Sequence, residues 1–525
     1  MQPSLRLVVQ LGFAGSRVLV PTDWDPSLVA KFEDALVQAL TARLNALRRD
    51  LGLTAHFFCG ISQIAVGGDT VFTRACAESN MVQRIFLPQH RDDFLNARGD
   101  SGADFSPAQQ AAARELLARP HIIQECVVSD ARERAVRFED VNLEIVDQCD
   151  LLLCLVRKDG GERRGGTQHA MDVATSRDVP VLEIEVGVAG TAPVLEEKWH
   201  KKNHFQLPAA PDAVAHAEDL EVDELDSVPD ARSYDERLHA YASERAASHQ
   251  AFFQSAARRV ILAHLTATFL ASVALALHGW SVLWALLACE VVCLSLGFAI
   301  HLYVHHASAS RNWAFARATA EITRSTLAVF GIRTTLNFLL ALPYPPSLKP
   351  LLRTLAVLHL RAIHSPRGLS WDDQRQKYVV GRVSNQIEYY EKYGKHSERA
   401  ARHASWTFFW ATLFAIVATS MKLLVVTEVW RLPSDWEPWL AKTLGTLAIV
   451  LPVLAVGALS LAAALDREAR GHTFEELATF LRAQKVRLEQ ARSEREFVRL
   501  VLETESHLLA ENATWLTRRT FTGLA

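Results

Sequence analysis

At 525 residues the chain is too long for one ordinary core and implies two to four domains. A formal net charge of -3 with 22% charged residues gives no general attraction for nucleic acid, and no tract of Lys and Arg supplies one locally, so nucleic acid is not an expected partner. The apolar residues gather in the second half rather than spreading evenly, which separates a soluble front from a membrane-like rear.

Residues 5–186 alternate short β-branched runs with amphipathic stretches. LRLVVQL is followed by a helical pattern over 27–51, then by AHFFC, RIFL, LLLCLV and VPVLEIEV as further strands. Strands apolar on both faces, separated by helices, predict a parallel α/β sheet of Rossmann-like type over residues 1–190. The amino terminus has neither a basic leader nor a long apolar run, so this domain is expected in the cytoplasm. Cys59, Cys76, Cys126, Cys149, Cys154, Cys289 and Cys293 form no CxxC pair, which predicts reduced, buried thiols and no metal site.

Residues 191–233 are rich in Pro, Asp, Glu and Ala and read as an acidic linker. Over 234–310 an amphipathic helix runs into an apolar stretch at 260–277, and the turn His278-Gly279-Trp280-Ser281 leads into a second apolar stretch, a transmembrane hairpin. A helical region at 311–405 follows. Apolar runs at 406–426 and 444–465 then form a second hairpin within 406–466, and 467–525 has the periodicity of a long helix. Arg258, Arg259 and Arg311 flank the first hairpin; Lys392, Lys395, Arg399, Arg402, Arg467 and Arg470 flank the second. By the positive-inside rule both tips point outward, with Trp430, Trp436 and Trp439 as an interfacial belt, and both termini of the chain are cytoplasmic in an inner or plasma membrane. The expected fold is thus an α/β domain followed by an all-α multi-pass and cytoplasmic helical region.

Three glycine-rich loops follow three of the strands. Gly12, Gly15, Ser16 and Arg17 end the first; Gly67, Gly68 and Asp69 follow the second; Arg157 to Gly161 and then Gly165, Gly166 and Thr167 follow the fourth-strand region. Glycine lets a backbone approach a phosphate, a helix start attracts one, and ligands of open α/β sheets bind at the carboxyl edge. The same glycines also suit tight turns in an unliganded domain. Glu290, inside the second apolar run, is costly in a bilayer unless it pairs, faces water or is protonated, and is expected to point toward His264 or a pore axis. Lys422 is expected to snorkel to the interface, and Pro452 to kink the fourth span.

The order GFAGSR, GGD, then CDLLLCLV, GGT and PVLEIEV resembles the SLOG superfamily of Rossmann-like domains, related to the Lonely Guy phosphoribohydrolases and the N-terminal domain of melastatin-type TRP channels. That resemblance implies a nucleotide derivative as ligand, such as NAD, ADP-ribose or a cyclic nucleotide, held at Gly165–Thr167. The glutamate that serves hydrolysis in some members falls on Ala170 here, and Asp172 lies about 200° around the helix, so binding is favoured over hydrolysis. Arg311-Asn312-Trp313 with Arg317, Glu321 and Arg324, and Tyr378, Arg382, Gln386-Ile387 and Tyr389-Tyr390, resemble the SLATT or DUF4231 membrane modules of bacterial conflict systems. This second resemblance implies a membrane effector that assembles as a homo-oligomer and perturbs the bilayer or forms a pore. Three functions stay open: a nucleotide sensor and effector in antiviral defence, a membrane-tethered nucleotide hydrolase using Asp69, Asp159 or Glu183, and an oligomerisation scaffold.

Overall fold

The computed structural model describes all residues except 1–4, 22, 55, 100–101, 104, 158–164, 218–229, 278–281, 307, 364–368, 428–432, 434–435, 465–466 and 523–525. The turn at 278–281, Asp159, Trp430 and the most acidic part of the expected linker lie outside the described residues. The chain divides into two compact units, Met1–Leu238 with Arg333–Arg367, and His239–Ile332 with Gly368–Ala525.

In the first unit the chain forms β1 (Val8–Gly15), α1 (Pro26–Asp50), β2 (Phe57–Ser62), α2 (Gly68–Glu78), β3 (Val82–Leu87), α3 (Arg91–Leu95), the short pair β4 (Arg98–Gly99) and β5 (Gly102–Ala103), and α4 (Pro107–Leu117). It continues as β6 (Ile122–Val127), α5 (Arg134–Gln148), β7 (Leu151–Arg157), α6 (Thr167–Ser176), β8 (Val181–Ala189), β9 (Ala192–His200) and α7 (Asp212–Ala215). Seven strands make one sheet in the order β6-β3-β2-β1-β7-β8-β9, parallel except for the β8–β9 pair. The sheet is Rossmann-like. From β1 the chain winds outward through β2 and β3 to β6, then returns to β7 on the other flank of β1, so the winding reverses between β1 and β7.

Period-two alternation sorts the strand residues between two cores. Leu151, Leu153 and Leu155 join Phe32, Leu36, Leu40 and Leu44 of α1 and Phe72 of α2 on one face. Leu152 and Cys154 join Val141 and Ile145 of α5 and Met171 of α6 on the other. Helix α1 starts where Asp25 accepts the Ser27 N–H and Pro26 sits in the first turn, and α4 starts with a Ser106–Gln109 capping box.

The opening of the expected linker is structured. After a tight turn at Gly190 (φ +66°), β9 runs antiparallel to β8, because Leu195 and Trp199 bury against the first core. The expected helical region 311–405 is also divided. Helices α11 (Asn337–Ala341) and α12 (Lys349–Ile363) belong to the first unit: Thr354 Oγ1 accepts the Val8 N–H at 2.9 Å, and Arg353 pairs with Asp150 at 2.5 Å. The apolar face of α12, with Leu351, Leu352, Leu355 and Leu358, is buried by that docking.

Helix α8 (Ala231–Ala276) begins in the first unit, where Tyr234 Oη donates to the Arg6 carbonyl at 2.7 Å, and continues into the second. The second unit adds α9 (Leu283–His306), α10 (Ala309–Ala328), α13 (Trp371–Tyr378), a π-helical turn (Val379–Ser384), α14 (Asn385–Val426), α15 (Glu437–Ala464), α16 (Arg467–Glu489) and α17 (Glu494–Thr522). Four of its helical runs, Ala231–Ala276, Leu283–His306, Trp371–Val426 and Glu437–Ala464, are long and apolar enough to cross a membrane. Between 6% and 22% of their most apolar windows is buried within the chain, as fits a membrane-embedded protein. At one end of these helices Arg519 of α17 donates to the Ala464 carbonyl that ends α15, and its guanidinium covers Trp313 at 5.2 Å and Phe253 at 5.7 Å. This ties α8, α10, α15 and α17 together by a cation held on aromatic faces at a helix carboxyl end.

Candidate ligand-binding site at the reversal of the sheet

The ends of β1 and β7 are stitched to each other. The Ser16 N–H donates to the Leu155 carbonyl at 2.8 Å, the Arg157 N–H donates to Ser16 Oγ at 3.3 Å, and the Arg157 guanidinium reaches the Val20 carbonyl at 3.1 Å. The second loop joins the first directly. The Gly68 N–H donates to the Ser16 carbonyl at 3.0 Å, while buried Asp69 accepts the N–H groups of Gly15 and Ala65, each at 3.2 Å. Burial raises the Asp69 carboxyl to about 7 although the two N–H groups oppose the shift.

Most of the predicted glycines are occupied by packing. A Cβ on Gly15 would stand 2.6 Å from Gly68 Cα, and one on Gly67 (φ +90°) 2.3 Å from the Arg17 carbonyl, so these two loops meet backbone against backbone. Gly12 makes room for Cys149 and Ile145 of α5. The space between the first and second loops is therefore filled by the protein itself.

The third loop differs. Gly166 caps α6 without a side-chain hydrogen bond, so Thr167 opens a ten-residue helix whose first N–H groups lack a side-chain cap. Buried Asn142 of α5 positions this start, donating to the carbonyls of Gly165 at 2.9 Å and Gly166 at 3.3 Å, and its Nδ2 lies 3.3 Å from His169 Nδ1. Gln63, from the loop after β2, donates to Asn142 Oδ1 at 3.5 Å and so links the second loop to the third. Gln63 is 7% exposed, and its Oε1 has no hydrogen-bond partner among the described residues. Sequence reasoning missed Gln63 and Asn142, whose amides gain meaning only when α5 is laid beside α6.

Of the carboxylates proposed for hydrolysis, Asp159 lies outside the described residues, and Asp69 and Glu183 are engaged. Glu183 pairs with Lys198 on β9 and lies 2.7 Å from His200 Nε2, level with Cys154 and below the loops. Asp172 is exposed and accepts from Gln168 at 2.9 Å, and Ala170 is buried in the second core. A hollow of about 410 Å³ lies at the opposite edge of the sheet, lined by residues that include Asn45, Thr54, Glu78 and Asn80.

In the second unit Tyr378 and Arg382 of the second motif stretch, with Ser325 just beyond the first, converge on a residue the sequence did not single out. Fully buried Glu505 of α17 takes two hydrogen bonds from Arg382, at 3.0 and 2.8 Å, one from Tyr378 Oη at 2.7 Å and one from Ser325 Oγ at 2.6 Å. Burial pushes this carboxyl up, but Arg382 and the donors outweigh it and hold Glu505 below the usual carboxylate range. Arg382 sits in the π-helical turn, and Arg324 pairs with Glu321 nearby on α10.

Within the apolar helices, Glu290 is half-buried on α9 and forms no hydrogen bond or ion pair with another described residue. His264 Nδ1 lies 2.8 Å from the carbonyl of Val260, and its ring faces Gly297, two turns from Glu290, so the expected approach of Glu290 to His264 does not occur. Lys422 rests its ammonium over Gly445 of α15, and Pro452 lies inside α15. Of the cysteines, Cys59, Cys76, Cys149 and Cys154 are buried, with burial pushing Cys59 and Cys149 up to about 12, whereas Cys289 is exposed on α9. No protein-family model matches the chain, and no curated protein matches it either.

Proposed function

We propose that the chain is a membrane-embedded sensor and effector whose sheet domain binds a nucleotide-derived ligand. The observation that carries this reading is the start of α6: a helix amino terminus without a side-chain cap, beside the reversal of the sheet, linked through Asn142 to a buried acceptor on Gln63. A helix start favours a phosphate, and the Gln63 carbonyl suits a donor such as an amide or a ribose hydroxyl. NAD, ADP-ribose and cyclic nucleotides carry both kinds of group. Hydrolysis is the less supported reading, because Asp69 is spent on backbone N–H groups and Glu183 on its β9 neighbours.

Signal transfer in this reading runs along α8, which begins beside β1 and continues as one helix into the first apolar stretch. The four apolar helices cross an inner or plasma membrane with both hairpin tips outside and both chain termini in the cytoplasm, and the effector step is a change in assembly or permeability. A defence role rests on the resemblance to SLOG and SLATT modules alone.

A scaffold is the second reading, favoured by the backbone-to-backbone packing of Gly15, Gly67 and Gly68 and by the packing of Gly165 against Phe138 and Ala135. Thermal unfolding of the full-length chain in detergent, with NAD, ADP-ribose or cyclic nucleotides and product analysis of each mixture, separates the readings. A sensor gains about 2.7 kcal/mol at a ligand concentration of a hundred times Kd and returns the ligand intact, and Thr167→Asp removes the gain. A consumed ligand means the tethered enzyme. No shift with any nucleotide leaves the scaffold.

A further inference from the structure

We propose that His169, held as a neutral imidazole with its proton on Nε2, donates to the phosphate at the start of α6, and that the Gln63 carbonyl accepts from a hydroxyl of the same ligand. The site then reads a phosphate ester with one fixed donor and one fixed acceptor, and its ligand is a sugar phosphate or nucleotide with a free hydroxyl near the phosphate. This rests on the reading that the start of α6 binds a phosphate, and it gives the neighbouring side chains their roles.

Two carbonyls set the polarity of the whole chain of groups. Those of Gly165 and Gly166 can only accept, so the amide nitrogen of Asn142 is the end turned toward them, at 2.9 and 3.3 Å. Turning that amide over would set oxygen against oxygen around a side chain that is 2% exposed. Asn142 Oδ1 therefore faces Gln63, and Gln63 presents Nε2 to it at 3.5 Å. The atom left over is Gln63 Oε1, a buried acceptor with no partner among the described residues. A buried carbonyl without a donor is unfavourable, and a ligand hydroxyl removes that deficit.

The same amide nitrogen fixes the histidine. Asn142 Nδ2 lies 3.3 Å from His169 Nδ1, and it is a donor. A proton on Nδ1 would set N–H against N–H, so Nδ1 carries the lone pair and Nε2 carries the proton. His169 is the third residue of α6, and side chains lean toward the amino end of their helix, which brings the ring to the mouth of α6. The first bond of the helix runs from the Ala170 N–H to the Gly166 carbonyl at 3.3 Å, which leaves the N–H groups of Thr167, Gln168 and His169 without a partner inside the helix. His169 is half-buried, and its Nε2 has no hydrogen-bond partner among the described residues. A phosphate resting on those N–H groups accepts from Nε2 as well.

The platform is in place before a ligand arrives. Gly165 has a φ of +74°, and a Cβ there would stand 3.0 Å from Phe138 Cβ and 3.1 Å from the Ala135 carbonyl, so the loop lies flat on α5 and keeps the helix start against Asn142. Only Asn142 stands between Gln63 and that helix start, so one ligand reaches both.

The test uses the full-length chain in detergent, with melting curves titrated by ADP-ribose, which has phosphates and ribose hydroxyls, and by inorganic pyrophosphate, which has no such hydroxyl. Wild type binds ADP-ribose about tenfold or more tightly than pyrophosphate. His169→Ala weakens both by about tenfold, and His169→Gln, whose amide N–H replaces Nε2–H, restores most of the loss. Gln63→Met weakens ADP-ribose about tenfold more than pyrophosphate. Equal weakening of the two by Gln63→Met overturns the acceptor role and leaves Gln63 as a prop for Asn142. Should the variants fail to fold, nitrogen-15 NMR of the histidine-labelled wild type decides: the His169 ring carries its proton on Nε2, and that signal moves when pyrophosphate is added. A proton on Nδ1, or a ring signal that saturating ligand leaves in place, overturns the donor role. Wild-type melting that no nucleotide or pyrophosphate shifts refutes the sensor reading together with this one, whereas a wild-type shift that His169→Ala leaves undiminished refutes only the assignment of His169.

Discussion

Glu505 has four donors around it, so its carboxylate is an acceptor on every side and stays ionised without water. Such a pair is weak support for stability as a whole but costly to break on one side, since the survivor is an unpaired buried charge. Arg382→Met is expected to cost about 3–5 kcal/mol in chemical unfolding followed by helical circular dichroism, and Arg382→Met with Glu505→Leu to recover most of it. Equal losses in single and double variants would show that charge burial is not what Arg382 answers. Asp69 presents the opposite case. Its folded carboxyl titrates at about 7 against an ordinary 3.8, so its contribution favours folding at low pH, is fully present below about pH 4 and is lost as pH rises through about 7. Asp69→Asn stays neutral throughout. The melting temperature of the variant relative to wild type should therefore climb between about pH 4 and pH 7; a pH-independent gap would place the Asp69 carboxyl in the normal range.

At the scale of elements, five of the sheet strands were legible because their apolar runs are long and bounded by glycine or charge. β6 and β9 were not: HIIQECVV mixes polar residues into an edge strand, and β9 carries Glu196 and Lys198 on the face away from Leu195 and Trp199, with Glu197 between them paired to Arg43. The glycine loops were found as sequence, but their use was not, since only the fold shows that Gly67 and Gly68 press on the first loop. Gly67→Ala meets both a φ of +90° and the Arg17 carbonyl, whereas Gly52→Ala meets a φ of +68° with open space around it. Thermal unfolding should show a loss of about 1 kcal/mol at Gly52 and about 3 kcal/mol or more at Gly67, and similar losses at both would mean the loops part easily. Around Glu505, Tyr378 and Arg382 were visible as a motif, but the wider π-helical turn shifts the register between them and Tyr389, and their acceptor comes from a helix more than a hundred residues later.

For the whole molecule, the division of the chain matters more than the count of its elements. Reading composition from one end to the other finds a boundary near residue 190, because chemistry changes there; it misses α12, whose leucines look like any other helix between apolar runs. Val8, Asp150 and Thr354 join only through tertiary structure. A fragment of residues 1–238 is therefore expected to melt lower than one in which 333–367 is rejoined to it by a flexible linker, with the difference abolished by Leu351→Asp and Leu355→Asp in the returned segment; identical melting curves would show that the sheet is complete without it. The same docking orders events during synthesis. The strands leave the ribosome first, but the helix that covers the start of β1 follows both α8 and α9. Domains usually fold in the order they are made, yet here the amino-terminal unit waits for its last helix until the first two apolar segments have been synthesised. In the membrane reading proposed above, targeting precedes completion of the nascent sheet domain, and a chain stalled before residue 363 is anchored without a finished domain to display.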